Sequence, residues 1–338
     1  MVRDHEGGQV RPPAALSRRR NVNSAKTILT AAILGGAALI ACTENKIIVN
    51  SSPDGGEVPP DETDGGEPID EDGGTASNCP ATGKLESVAI DAPDAVETSG
   101  IVESKQNQGV YWIHNDSGDT ARAFAIGSDG HLITTLAFDT VKPRDIEDIA
   151  IEDDGDVSYL YFGDIGDNDE VRTELTIHKV KEPKVGSATD VTATSEKMTV
   201  VYSDNAHNAE TLLFDPLTKD LLIATKKPGG PSYIHRIGPF QAGKKVTTEK
   251  VATVNVDTAT GGEISRDGKY IAIRNYSKQV FVWVRGEGES LEEAMAHTPC
   301  KLPLATEGQG EAFAWQVDNA GYVTVSEGTP ELHITPLK

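Results

Sequence analysis

Aromatic residues make up only 5% of this 338-residue chain, and it has three cysteines. The first figure leaves any core to aliphatic and β-branched side chains, and the second is too few for a fold built on disulfides. Basic residues are also scarce, 31 Lys and Arg against 53 Asp and Glu, for a formal charge of −22. That balance excludes nucleic-acid backbones and anionic lipid headgroups as charge-matched partners, while it permits cationic partners and divalent metals. No G-x-S-x-G elbow, H-E-x-x-H pair, Walker A loop or dinucleotide glycine fingerprint occurs, so these catalytic classes have no foothold. One long uncharged apolar run exists, residues 28–41, and it is too short to span a bilayer as a stable helix.

That run reads as an export signal. Arg18, Arg19, Arg20 and Lys26 form a positive segment before it, and small residues lie near its end, at Ala41-Cys42. The run Leu39-Ile40-Ala41-Cys42 resembles the bacterial lipobox, in which the cysteine is acylated and becomes the mature N-terminus. The resemblance implies a removable signal over 1–41 and a lipid on Cys42. Thr43, in place of Asp, implies by the same resemblance sorting to the outer membrane. Residues 51–75 carry nine acidic and no basic side chains and almost no bulky apolar ones. Such a segment cannot bury enough surface to offset its ordering entropy, so residues 42–83 are expected to be a disordered acidic tether. With Cys42 lipidated, Cys79 and Cys300 remain; an oxidising compartment favours a bond between them over two buried thiols.

Residues 84–338 show few helical patterns, the best being a short insertion at 289–297. Elsewhere brief β-branched and aromatic runs alternate with Gly, Asp, Asn and Pro, the pattern of strands and turns. Set side by side, the runs repeat. One strand of each unit carries a glutamate: Glu97 in ETSGIV, Glu147 in DIEDIAI, Glu210 in AETLLFD, Glu263 in GGEISRD and Glu311 in GEAFAWQV, at intervals of 50, 63, 53 and 48 residues. A second strand follows with a polar end, at Asp116, Asp164, Lys226, Arg274 and Glu327 in turn. The fifth unit runs out after three strands, and LESVAID at 85–91 is available to complete it. An all-β propeller of five four-stranded blades, closed by the N-terminal strand, explains both the period and the incomplete last unit. The 63-residue interval leaves room for a sixth blade. In a ring of this kind Cys79 and Cys300 fall on neighbouring blades, where a bond would staple the closure.

Innermost strands line a propeller's channel, so the five glutamates are expected around one axis. Like charges so close raise one another's pKa and need compensation from a cation, shared protons or basic side chains. Lys226 and Arg274 are candidates for that compensation and for holding an anionic ligand. The expected metal set is Glu97, Asp116, Glu147, Asp164, Asp167, Glu210, Glu263 and Glu311. Clustered carboxylates suit a hard cation, Ca²⁺ above Mg²⁺. The loops NDSGD and GDIGDND, holding Asp116, Asp164 and Asp167, place short carboxylates beside glycine as ligand loops do, although these are ordinary turn residues too. His114 and His207 stand beside acidic motifs and are candidate general acids or bases.

The runs HNDSGD, DIEDIAI, GDIGDN, AETLLFD, GGEISRDG and GEAF together resemble a family of exported bacterial propeller proteins, with Ile146 where that family carries tryptophan. More distantly the arrangement is similar to β-propeller phytases and gluconolactonase-type propellers. That similarity implies Ca²⁺ held among channel carboxylates and hydrolysis of phosphate esters or lactones. With no nucleophile or committed base in the sequence, the reading favoured is a membrane-anchored module that binds a small molecule or a surface partner. A Ca²⁺-dependent hydrolase is the alternative.

Overall fold

A computed structural model describes residues 79–139, 142–186, 190–276, 279–328 and 330–338. The export signal, Cys42 and the acidic run of 51–75 lie outside the described residues. Strand β1 (Glu86–Ala89) comes first. Four strands follow as a meander: β2 (Thr98–Glu103), β3 (Val110–Asn115), β4 (Arg122–Gly127) and β5 (Leu132–Ala137). The next unit has β6 (Ile146–Asp154), β7 (Val157–Asp164), β8 (Leu175–Lys181) and β10 (Ser195–Val201), with the short β9 (Asp190–Thr192) inserted before the last. The third has β11 (Ala209–Asp215), β12 (Asp220–Thr225), β13 (Ser232–Gly238) and β15 (Glu249–Val254), with β14 (Lys245–Thr247) inserted. The fourth has β16 (Ala259–Ile264), β17 (Tyr270–Asn275), β18 (Gln279–Val284), the helix α1 (Leu291–Met295) and β19 (Cys300–Leu302). The chain ends with β20 (Gln309–Trp315), β21 (Gly321–Glu327) and β22 (Glu331–Pro336).

These strands make five sheets, and the last is β1-β22-β21-β20, in which β1 pairs antiparallel with the C-terminal strand. The fold is a five-bladed β-propeller closed by its N-terminal strand. The interval that left room for a sixth blade is spent on edge protection instead. Strand β9 pairs parallel with β5 of the preceding blade, and β14 does the same to β10, so two outer edges are covered by chain from the next unit. Ahead of Lys84, Thr82 bridges Leu337, and the Gly83 N–H donates to the Pro336 carbonyl at 2.7 Å.

Each middle strand is apolar on both faces because it is covered on both. Strand β3, VYWIHN, is buried along its whole length. The core accordingly consists of five clusters, one between each neighbouring pair of blades. Trp112 and Phe162 join the first and second, Leu212 and Tyr161 the second and third, Leu222 and Ile273 the third and fourth. Val282 and Trp315 join the fourth and fifth, and Phe124 and Val323 close the ring. Helix α1 is held by a capping box, Ser290 with Glu293, and buries Leu291 and Met295 in the third cluster. Cys79 and Cys300 are bonded, with 5.7 Å between their Cα atoms, tying the segment before the closing strand to the outer strand of the fourth blade.

Candidate functional site: an acidic cluster at the inner-strand bulges

Every inner strand slips register by one residue near its start. The slip falls between Thr98 and Gly100, Ile146 and Asp148, Ala209 and Thr211, Ala259 and Gly261, and Gly310 and Ala312. The extra residue at such a β-bulge is unpaired in the ladder and its side chain is re-aimed. Those residues are Ser99, Glu147, Glu210, Thr260 and Glu311. The five-fold position is therefore real, but three glutamates and two hydroxyls fill it.

The hydroxyls tie blades together. Ser99 Oγ donates to the Glu147 carbonyl at 2.5 Å, and Thr260 Oγ1 to the Gly310 carbonyl at 2.8 Å, so each pins the bulge of the next blade. Glu97 sits two residues ahead of its bulge and is exposed. Glu263 sits three residues past its own and is buried beside Arg266 Nη1, at 2.5 Å. Arg266 also pairs with Asp153 at 3.1 Å and lines a separate cavity of about 210 Å³ with Lys105 and Val317.

Around the three bulge glutamates gather Asp116, Asp145, Glu327 and Lys226. One carboxylate oxygen each from Asp116, Asp145 and Glu147 lies within 4.8 Å of the others. Burial, then the charges of Glu210, Asp116 and Asp145, push the Glu147 carboxyl well above its ordinary value, against the pull of Lys226. Asp116 is pushed up to about 6 by burial, Asp145 and Glu210. Glu311 is pushed up to about 8 by burial and Glu210, with Lys226 and Arg274 opposing. Burial also raises Asp145, although Arg172 opposes it, and Asp145 Oδ1 is buried without a hydrogen-bond partner among the described residues. Lys226 is seated in the cluster, its Nζ 2.5 Å from Glu210 Oε2.

The remaining candidates have other places. Asp164 accepts N–H bonds from Arg144 and Asp145, both at 3.0 Å, and pairs with Arg172 at 2.9 Å. It thus positions the Asp145 loop rather than offering free oxygens. Asp167 Oδ2 accepts the Arg172 N–H at 2.6 Å, while its Oδ1 is buried without a hydrogen-bond partner among the described residues. Gly166, between them, packs so closely on Asp145 and Glu147 that a Cβ would fall 2.3 and 2.2 Å from their oxygens. Arg274 is wholly buried, with Nη2 2.6 Å from Glu307 Oε2 and Nη1 donating to the Ala312 carbonyl. It ties the fourth blade to the fifth and is closed to a ligand from solvent. Its register explains why: Arg274 faces Gly261 across the ladder as Ala224 faces Thr211, two residues deeper than Lys226 and Asp116, which lie just past the ends of their strands. His114 is buried too, with Nδ1 2.9 Å from the Asn115 carbonyl, and burial lowers it to about 4. His207 lies elsewhere, against Asp204 and His235.

Two site residues escaped the sequence reading. Asp145 was in plain view in the run DIED, two positions before Glu147, where the first blade has Glu97. Tyr276, 5.3 Å from Lys226 Nζ, carried no signal at all.

No protein-family model and no curated protein sequence matches the chain. Among solved structures, a gluconolactonase from Xanthomonas campestris is similar at 13% identity, with a TM-score of 0.45 over 75% of this chain and 89% of that one. A likeness of that size decides nothing about chemistry.

Chemically, the cluster is an excess of hard oxygen donors with insufficient positive charge. Burial and mutual repulsion leave it either partly protonated or in need of a cation. Asp116, Asp145 and Glu147 could hold a hard divalent cation, with Glu210 and Glu311 alongside. Bound there, the ion would neutralise the cluster and present a Lewis-acidic face to an oxygen ligand.

Proposed function

We propose that the protein is a Ca²⁺-binding propeller, lipid-anchored through Cys42 outside the cytoplasm at the outer membrane, that binds a small molecule or surface partner at its acidic end. The observation that carries the reading is the meeting of Asp116, Asp145 and Glu147 at one point, with an Asp145 oxygen buried and unpartnered. Ion binding converts a self-repelling cluster into a fixed, oxygen-seeking surface. An acidic tether between lipid and domain suits presentation to partners at a distance.

The test is thermal unfolding of metal-stripped protein with EDTA and with millimolar CaCl₂. Binding should raise the melting temperature by several degrees, since a ligand at about 100 times its Kd adds roughly 2.7 kcal/mol. Glu147→Gln should abolish the rise. An identical melting temperature in both conditions would refute the metal reading. Anchoring is tested separately, by the membrane partition of Cys42→Ala.

Hydrolysis is the second reading, and Glu311 favours it. Burial and Glu210 raise its carboxyl to about 8, which suits a general acid near neutral pH. Lys226 would steady an anionic substrate, without help from Arg274. Turnover of phosphomonoesters or lactones with Ca²⁺, lost in Glu311→Gln, would establish it.

A further inference from the structure

At the connection from β10 to β11, a second set of ligating side chains comes together. Asp204 and His207 belong to that connection, and His235 to the middle of β13 in the third blade. One donor atom of each lies within 4.8 Å of the other two. We propose that Asp204, His207 and His235 form a binding site for a first-row transition-metal cation of the Zn²⁺ class, distinct from the acidic cluster.

Three observations carry it. His235 is wholly buried, and its Nε2 has no hydrogen-bond partner among the described residues. Its Nδ1 lies 3.1 Å from Thr248 Oγ1. Donation from Nδ1 to that oxygen leaves a lone pair on Nε2, the second-sphere arrangement common to metal-binding histidines. The rings are also held in place. Tyr202 stands edge-on to both His207 and His235, each at 4.9 Å between centroids, and its own hydroxyl is buried and unpartnered. Finally, Asp204 and His207 line a cavity of about 410 Å³ together with Glu170, Tyr233, Lys227 and Lys250, which gives an ion room for water on the side of those two ligands.

Two imidazoles and a carboxylate, with a position left open, are the ligand set of a zinc-type centre. Lys227 and Lys250, with Lys226 already paired to Glu210, offset Asp204 and Glu170 on the cavity wall, so charge alone holds no hard cation there; imidazole nitrogen selects the softer metals. His207 Nε2 and Asp204 Oδ1 share a hydrogen bond at 3.0 Å, and an ion would take the place of the proton between them. Both belong to a partly exposed connection and can close on the fixed His235.

The full-length protein, stripped with EDTA, is titrated with Zn²⁺ against a chromophoric chelator, in the presence of millimolar Ca²⁺ to fill the acidic cluster. One equivalent should bind, with Kd raised at least about tenfold in His207→Ala and in Asp204→Asn. Asp204 is exposed, so its variant leaves the core untouched; His207 packs on Tyr202, so the melting temperature of its variant is measured alongside. Glu147→Gln should leave Zn²⁺ binding unchanged. Co²⁺ should give visible d–d absorption in the wild type that is lost in His207→Ala. Absence of binding, binding unaltered in both variants, or binding lost in Glu147→Gln instead would each overturn the assignment.

Discussion

Replacing Glu311 by glutamine tests the electrostatics of the channel most directly. Its carboxyl is raised from 4.5 to about 8 in the folded protein, by burial first and then by Glu210. Between those two values the folded state binds a proton that the unfolded chain has released. Stability contributed by this group is therefore complete below about pH 4.5 and falls as pH rises to about 8. At about 1.4 kcal/mol per decade, the displacement bounds the loss at roughly 5 kcal/mol, and relaxation of neighbours or water entry reduces it. Glutamine keeps the shape and hydrogen-bonding capacity without the charge. In EDTA, urea unfolding of the wild type should show a midpoint that drops between pH 6 and pH 9. Glu311→Gln should flatten that drop and be the more stable protein at pH 9, by one to a few kcal/mol. Added Ca²⁺ should restore the wild type at pH 9 and change the variant less. Parallel pH profiles for the two proteins in EDTA would refute the reasoning, because the repulsion would then not centre on this group.

The disulfide closes a loop with a sequence separation of 221, so chain entropy sets its contribution at up to about 5 kcal/mol; reduction should lower the urea midpoint, and an unchanged midpoint would count against a stapling role. Arg274→Met should cost about 3–5 kcal/mol because it strands Glu307, itself wholly buried, whereas Arg274→Met with Glu307→Leu should recover most of it. Equal losses in the single and double variants, read by urea unfolding, would mean that the pair itself stabilises the fold. Asp145→Asn should weaken Ca²⁺ binding, measured calorimetrically, as much as Glu147→Gln does, whereas Glu97→Gln should leave it unchanged.

Blade number, ring closure by β1 and the Cys79–Cys300 bond were all legible in the residues, because each depends on local pattern or chain order. Strand runs such as VYWIHN, the turn residues between them and the unfinished fifth unit need no coordinates to be read. The glutamates were harder. A β-strand repeats every two residues, and a bulge shifts that repeat by one at a place no side chain announces. Aligning the five strands on their glutamates therefore put Glu97 and Glu263 in the ring and left out Ser99 and Thr260, which occupy its bulges, and Asp145, which joins its cluster. The same blindness to depth made Arg274 look like a partner of Lys226, when two residues along the strand separate a buried inter-blade tie from a side chain in the acidic cluster.

The sequence by itself determined that the chain repeats, closes on itself and carries more acid than it can neutralise, since periodicity and composition are properties of the string. Only the tertiary structure decided which carboxylates meet and which are already occupied. It also brought His235 to Asp204 and His207, from another strand. Convergence is a property of distances through space, and those are set when five blades pack face to face around one axis.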